Sequence, residues 1–111
     1  MTISYDDFAK VDVRVGRVMR AELNPEARKP AYVLSVDFGP EVGELTSSAQ
    51  LVDHYTPESL VGRLVLGVVN FPPKRIAGVK SECLVLGVPD AEGAVVLLSP
   101  ERHAPVGGKM F

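Results

Sequence analysis

The stretch that decides the fold is residues 11–18, which read VDVRVGRV. Three valines alternate with Asp12 and Arg14, a pattern typical of a strand with one buried face. After Gly16 the apolar phase moves to Val18, as happens where a glycine bulge inserts one extra residue. The segment therefore predicts a first strand that bends sharply.

Further apolar runs predict the other strands. A second strand alternates through residues 32–38, and a shorter third strand lies around Leu45. Near-continuous Val and Leu runs at residues 63–70 and 82–88 are expected for strands covered on much of both faces. They predict strands four and five, and residues 94–98 predict a final short strand.

The segments between the strands predict one helix and two prominent loops. Residues 56–62, TPESLVG, combine a capping threonine, a proline at the first helical position and a glycine stop. This order predicts about one turn of helix between strands three and four. Residues 22–30 and 71–80 are rich in turn-forming and basic residues, so both are predicted to be loops.

The strand pattern favours an all-β fold. Five main strands, a bulge in the first and a helix between the third and fourth match the OB-fold, a partly open five-stranded Greek-key barrel. An immunoglobulin-like sandwich is the competitor, but it would normally have more strands and no mid-chain helix. The barrel core is predicted to contain Val13, Val15, Leu34, Val36, Val65, Val68, Leu84, Leu86 and Val96.

Length and composition narrow the class of protein. The 111 residues, 46% of them hydrophobic, fit a single domain spanning residues 1–111 that can bury its own core. The longest apolar stretch, residues 64–69, is far too short for a membrane helix, and no basic-then-apolar leader precedes it. A lone cysteine, Cys83, suits a reducing compartment. We therefore expect a cytoplasmic protein without membrane insertion.

The charges favour a local polyanion site over a globally basic surface. Twelve basic and fourteen acidic residues give a net charge of −2, whereas many nucleic-acid binders are strongly basic. Arg28 and Lys29 lie in the first predicted loop, and Lys74, Arg75 and Lys80 in the second. These are the two loops through which an OB-fold binds oligomers. The alternative is that these cations only solubilise separate loops.

The residue types needed for catalysis are scarce. The chain has two histidines, one cysteine, no paired metal-binding motif and no phosphate-binding glycine motif. We therefore predict a protein that is not an enzyme and has neither metal nor cofactor. His54 and His103 are interpreted as surface residues, and Cys83 as a small core hydrophobe.

Several motifs together resemble a known family. They are DVRVG at 12–16, SSAQ at 47–50, LVG at 60–62, VNFPPKRIAG at 69–78, VKSECLVLG at 79–87 and a final PVGGK. Through them the chain resembles a stand-alone tRNA-binding domain, the OB-fold module also appended to bacterial methionyl-tRNA synthetases. Within that family, the stretches SSAQ, VNFPPKRIAG and SECLVLG are similar to the CsaA branch, homodimeric bacterial chaperones linked to protein secretion.

The resemblance also implies site residues and partners. The family's nucleic-acid face corresponds here to Asn70, Lys74, Arg75, Lys80 and Ser81, while Ser48 and Gln50 match a polar pair after strand three. Cys83 and Leu84 depart from the Gly-Met of the synthetase-appended members. The implied partners are tRNA, unfolded or precursor polypeptides, the secretion translocase motor and a second copy of the chain.

Physical reasoning leaves two functions open. Phe71 beside two prolines offers an apolar platform on which bases could stack, yet an extended polypeptide with apolar side chains would suit the same platform. A rigid loop packed on the barrel end is the plainer interpretation of these three residues. The leading hypothesis is a CsaA-type chaperone, and the alternative is a structure-specific tRNA-binding protein acting in translation.

Apolar side chains near both termini predict a homodimer, because they would otherwise remain exposed. The alternative is that each tail docks on its own barrel. The residues concerned are Tyr5, Phe8, Val106, Met110 and Phe111.

Overall fold

Residues 1–111 are all described by a computed structural model with nine strands and two short helices, one before the first strand and one between the third and fourth. The helices are α1 (Tyr5–Ala9) and α2 (Pro57–Leu60). The strands are β1 (Val13–Leu23), β2 (Tyr32–Asp37), β3 (Glu44–Ala49), β4 (Leu64–Val68), β5 (Lys74–Ile76), β6 (Val79–Ser81), β7 (Leu84–Val85), β8 (Gly87–Pro89) and β9 (Val95–Leu97).

The main sheet is a nearly closed antiparallel barrel. Its five strands follow the order β3-β2-β1-β4-β7, and α2 lies between β3 and β4 as predicted. The open side is bridged where β3 meets the end of β6 and the residue after it. The Glu82 N–H donates to the Thr46 carbonyl at 2.7 Å, and the Ser48 N–H donates to the Ser81 hydroxyl at 3.2 Å. The predicted OB-fold is confirmed.

The long strand β1 changes partners along its length. Its first half pairs with β4 and its second half with β2, so one strand joins both sides of the barrel. The buried positions do shift by one residue at Gly16. Val13 and Val15 are buried before the shift, and Gly16 and Val18 are buried after it. The position predicted for the bulge is wrong: the ladder is regular through Gly16, and its irregularity falls between Val18 and Arg20.

Gly16 serves packing instead of supplying an extra residue. A Cβ built there would lie 2.5 Å from Val36 Cγ1 and 2.7 Å from Phe38 Cε1. Real Cβ atoms do not approach other heavy atoms so closely. The absent side chain therefore makes room for the Phe38 ring inside the barrel.

The predicted core is partly confirmed. Leu34, Val36 and Val65 belong to the central cluster, whereas Val13, Val15 and Val68 are buried outside it. The remaining central residues are Val18, Tyr32, Phe38, Leu51, Leu60 and Cys83.

The core residues predicted near the end of the chain are wrong, because their sequence neighbours face the core in their place. Leu84 is 48% exposed and Val96 is 39% exposed, and Leu86 is only half-buried. Their neighbours Val85, Val95 and Leu97 pack against the core instead. A continuous apolar run does not show which alternate residues point inward, so a shift of one residue exchanges the two faces.

Residues 71–80 are not a plain loop, because most of them form the β5–β6 hairpin. Its two-residue turn has positive φ at Ala77 (48°) and Gly78 (81°), the signs of a type I′ hairpin turn. Alanine is unusual in the left-handed region, so the sequence lacked the expected turn signature. Helix α1 was also missed. Neither helix is long enough to cross a membrane.

We expect Gly16→Ala to lower the free energy of unfolding by about 1–3 kcal/mol, because the added methyl group overpacks the core. Phe38→Leu removes part of the ring that the methyl group meets, so the two changes should be less than additive. Urea denaturation of the wild type, both single variants and the double variant measures the coupling. Strict additivity would contradict the proposed contact.

Candidate functional site

Two grooves adjoin the β5–β6 hairpin, and Ile76 forms part of both. The Phe71 groove has a volume of about 590 Å³ and is lined by Phe71, Pro72, Pro73, Lys74, Ile76, Ser81, Glu82, Cys83 and Leu84. The Gln50 groove has a volume of about 580 Å³ and is lined by Glu26, Ala27, Arg28, Lys29, Ala31, Ser48, Gln50, Ile76 and Ala77. The two grooves therefore meet at Ile76.

The structure does not bring the predicted site residues together in one place. The Phe71 groove contains Phe71, Lys74 and Ser81, and the Gln50 groove contains Ser48 and Gln50. The other three, Asn70, Arg75 and Lys80, line neither groove.

Asn70 and Ser81 make contacts that hold the fold together. The Asn70 side chain accepts a hydrogen bond from the Asp12 N–H at 3.0 Å and donates one to the Lys10 carbonyl at 2.7 Å. Both ends of this amide are thus used to attach the segment before β1. The Ser81 hydroxyl, which accepts from the Ser48 N–H, helps to close the barrel.

Arg75 and Lys80 stand directly opposite each other in the hairpin. Directly opposed side chains share one face of a sheet, and like charges in that arrangement repel. Neither residue forms a salt bridge, and both are exposed. An anion lying across the pair would relieve the repulsion, so this face of the hairpin is suited to a phosphate backbone.

The Phe71 groove is an open apolar surface. Phe71 is 53% exposed, Ile76 is 40% exposed and Leu84 contributes a further exposed side chain. Lys74 and Glu82 supply the charged groups of its lining. Large apolar side chains gathered on a surface mark an interaction site more often than isolated ones do.

Asn24 attaches the loop before β2 to the hairpin. Only 6% exposed, it accepts from the Glu26 N–H at 3.0 Å and donates from Nδ2 to the Ala77 carbonyl at 3.2 Å. Its own N–H donates to the Ala31 carbonyl at 2.9 Å. Sequence reasoning missed this residue because Asn-Pro indicates only a turn, and the second partner is 53 residues away.

Arg14 fastens the C-terminal segment to β1. Its guanidinium donates to Asp12 at 2.6 Å, to the Gly107 carbonyl at 3.1 Å and to Glu41 at 3.2 Å. The hydrogen bond from Arg14 holds the pKa of Asp12 below its usual value. The motif residues Asp12 and Arg14 therefore organise the barrel end, away from both grooves.

The remaining titratable residues form no metal cluster. No three His, Cys, Asp or Glu side chains are grouped to hold a metal ion. His54 is exposed and pairs with Asp90 at 2.7 Å, which lowers the pKa of Asp90. His103 is exposed in the C-terminal segment.

The comparisons with known proteins agree with this architecture. Residues 13–109 match the family model described as "Putative tRNA binding domain", and the chain belongs to that family of OB-fold tRNA-binding domains. It is 51% identical to the chaperone CsaA from Bacillus anthracis, with a TM-score of 0.92 and full coverage of both chains. The CsaA chaperone protein from Picrophilus torridus is 43% identical, also with a TM-score of 0.92, over 99% of this chain and 100% of the other.

The chain is also similar to part of a larger enzyme. It is 40% identical over 110 residues to the methionine–tRNA ligase of Pyrococcus abyssi. The match covers 99% of this chain but only 15% of that ligase, so the chain spans a small part of the curated relatives' length. The expected resemblance to both the CsaA chaperones and the synthetase-appended module is confirmed.

Cys83 should resist thiol reagents in the native protein. Burial raises the pKa of its thiol from 9.0 to about 12, and at about pH 8 this leaves roughly a thousandfold less of the reactive thiolate. We expect alkylation to accelerate sharply in urea. A Cys83→Ala, Ser99→Cys variant provides an exposed control thiol, and equal native rates for the two proteins would contradict the prediction.

The same raised pKa predicts a loss of stability in alkali. Below pH 9 the thiol is neutral in both the folded and unfolded chains, so it contributes no pH dependence. Between pH 9.0 and about 12 only the unfolded chain loses this proton, and stability falls as the pH rises. Cys83→Ala should reduce that alkaline slope in urea titrations performed across this range.

Proposed function

We propose that this chain is a non-enzymatic molecular chaperone of the CsaA type, which binds unfolded precursor polypeptides in the cytoplasm for secretion. The proposal rests chiefly on the open apolar Phe71 groove, found on a chain that is 51% identical over its full length to a CsaA chaperone. The secretion translocase motor is the proposed receiver of these clients. A tRNA-binding surface is retained on the same molecule.

The Phe71 groove suits clients of varied sequence. Burial of apolar surface stabilises a complex by about 25 cal/mol per Å² and requires no particular bond direction. Phe71, Ile76 and Leu84 present such surface, and the groove needs no conformational change to expose it. Many different apolar side chains can therefore bind to it, as a chaperone requires.

A tRNA-binding role in translation is the second candidate. It is supported by family membership and by Arg75 and Lys80, two cations that share one face of the hairpin and have no acidic partner. Phosphates bound there would release condensed counterions, which gives affinity without reading sequence. The two candidate functions use different sides of the hairpin.

We further propose that the chain forms a homodimer through a cleft at its termini. The cleft, of about 250 Å³, lies between α1 and the C-terminal segment. Hydrogen bonds dock the backbone of this segment on β1, yet Tyr5 is 74% exposed and Phe111 fully exposed. Intramolecular docking thus leaves apolar side chains uncovered, and a second copy would bury them.

Charge and apolar variants should separate the two activities. Arg75→Glu with Lys80→Glu should weaken tRNA binding by about tenfold or more. The slope of log affinity against log salt concentration should become shallower by roughly 0.7–0.9 for each phosphate contact that is lost. Phe71→Ala should weaken binding of an unfolded preprotein by roughly tenfold, because it removes apolar contact area. Lys74 is left unchanged because it lines the Phe71 groove.

Titrations of tRNA and of the unfolded preprotein, each over a salt series, measure both effects. Arg102→Glu and Met19→Ala are the matched controls, since both residues are exposed and lie outside the two grooves. An unchanged preprotein affinity in Phe71→Ala would contradict the chaperone proposal. An unchanged tRNA salt slope in the charge variant would contradict the assigned tRNA surface.

The dimer should be visible by light scattering at micromolar concentration. Removing Met110 and Phe111 should shift the protein toward the 11.9 kDa monomer, because two members of the apolar cleft are lost. Val88→Ser, on an exposed face elsewhere, is the control and should leave association unchanged. A wild-type protein that scatters as a monomer would overturn the dimer proposal.

A further inference from the structure

The Gln50 groove contains polar side chains that the fold itself does not use. The side chains of Ser48 and Gln50 make no hydrogen bond within the chain, although the Ser48 backbone helps to close the barrel. Arg28 and Lys29 form no salt bridge. Four side chains able to bind a polar ligand therefore converge on one groove without intramolecular partners.

The apolar part of the same groove is made of small side chains. Ala27, Ala31 and Ala77 line it together with Ile76, and Ala31 is only 3% exposed. Methyl groups leave room for a flat ring to approach the backbone closely. A nucleobase is such a ring, and the nearby cations can hold the phosphate attached to it.

Glu26 introduces an acceptor of hydrogen bonds into this otherwise cationic groove. Its carboxylate lies against Gly78 at the hairpin turn, where a side chain on residue 78 would collide with it. Its backbone is held by the bond from the Glu26 N–H to Asn24. The carboxylate has no partner within the chain, and it would repel a phosphate but accept a hydrogen bond from a base amino group.

The hairpin turn beside the groove is held in a conformation that alanine disfavours. Ala77 is the one residue other than glycine with positive φ, and its carbonyl is held by Asn24. Strain of this kind persists where the surroundings over-determine a conformation, often at a ligand site. The same contact fixes the distance between the hairpin and the loop that carries Glu26, Arg28 and Lys29.

We propose that the Gln50 groove binds one unpaired RNA nucleotide. Arg28 and Lys29 hold its phosphate, whereas Gln50, Ser48 and Glu26 contact the base edge. Glu26 makes the groove prefer bases with an exocyclic amino group, such as cytosine and adenine, over uracil. This inference rests on the proposed tRNA-binding activity and specifies which part of an RNA the groove takes.

Fluorescence anisotropy with labelled oligonucleotides of about six residues tests the proposal, since an OB-fold covers roughly that length of single strand. We expect oligocytidylate and oligoadenylate to bind roughly fivefold to tenfold more tightly than oligouridylate, the discrimination that a hydrogen bond or two provides. Glu26→Gln should narrow this ratio. Glu58→Gln changes the charge equally at an exposed site in α2 and should leave the ratio unchanged.

Changes at the phosphate-binding end should affect every sequence equally. Arg28→Ala with Lys29→Ala should weaken all three oligonucleotides and reduce the salt slope by about 0.7, the value for one phosphate of a single strand. Gln50→Ala should weaken binding without changing that slope. The proposal is overturned if the base preference is absent from the wild type or survives Glu26→Gln, or if Arg28→Ala with Lys29→Ala leaves the salt slope unchanged.

Intact tRNA distinguishes failure of this inference from failure of the proposed tRNA-binding activity. If tRNA binding depends on Arg75 and Lys80 but not on Arg28, Lys29 or Gln50, the nucleotide site is wrong and the tRNA-binding activity stands. If the wild type does not bind tRNA at all, the tRNA-binding activity itself is wrong.

Discussion

The packing of Phe38 against two glycines is the constraint on which the rest of the structure depends. Phe38 is fully buried, and its ring meets Gly16 in β1 and Gly67 in β4, where a Cβ would lie 2.8 Å from Phe38 Cζ. β1 and β4 are paired at the barrel's centre, with β2 and α2 packed around them. The ring can fill this interior only because both neighbouring strands omit a side chain there.

Hydrogen bonds of polar side chains hold the segments that form the grooves in place against the barrel. Asn24 links the first loop to the hairpin turn, while Ser81 and Glu82 link the other end of the hairpin to β3. A buried amide that loses its partner costs free energy, so these bonds keep the exposed segments in place. The barrel therefore holds both grooves in place, so that both are already formed before a ligand binds.

The hairpin separates two kinds of ligand chemistry. Its outer face opposes Arg75 to Lys80, which favours a polyanion, whereas the Phe71 groove presents exposed apolar surface. An acidic protein with a net charge of −2 can bind RNA in this way because the relevant field is local, and salt screens charges beyond about 10 Å. Chaperone and RNA-binding activities are thus physically compatible on one small barrel.

The sequence by itself determined the barrel, its main strands, the helix between β3 and β4 and the positions of the cations along the chain, but not the hairpin that carries Lys74, Arg75 and Lys80. Alternating and continuous apolar runs, the capped turn at residues 56–62 and the family motifs are all local signals. It did not determine that Leu84 and Val96 are exposed, because a fully apolar run does not show which of its residues face the core. Nor could it show that only five of the eight predicted site residues line the two grooves, since the β5–β6 turn lacks its usual residues and Asn24 contacts Ala77 only after folding. Those contacts join segments distant in the chain, and only the tertiary structure decides which of them meet.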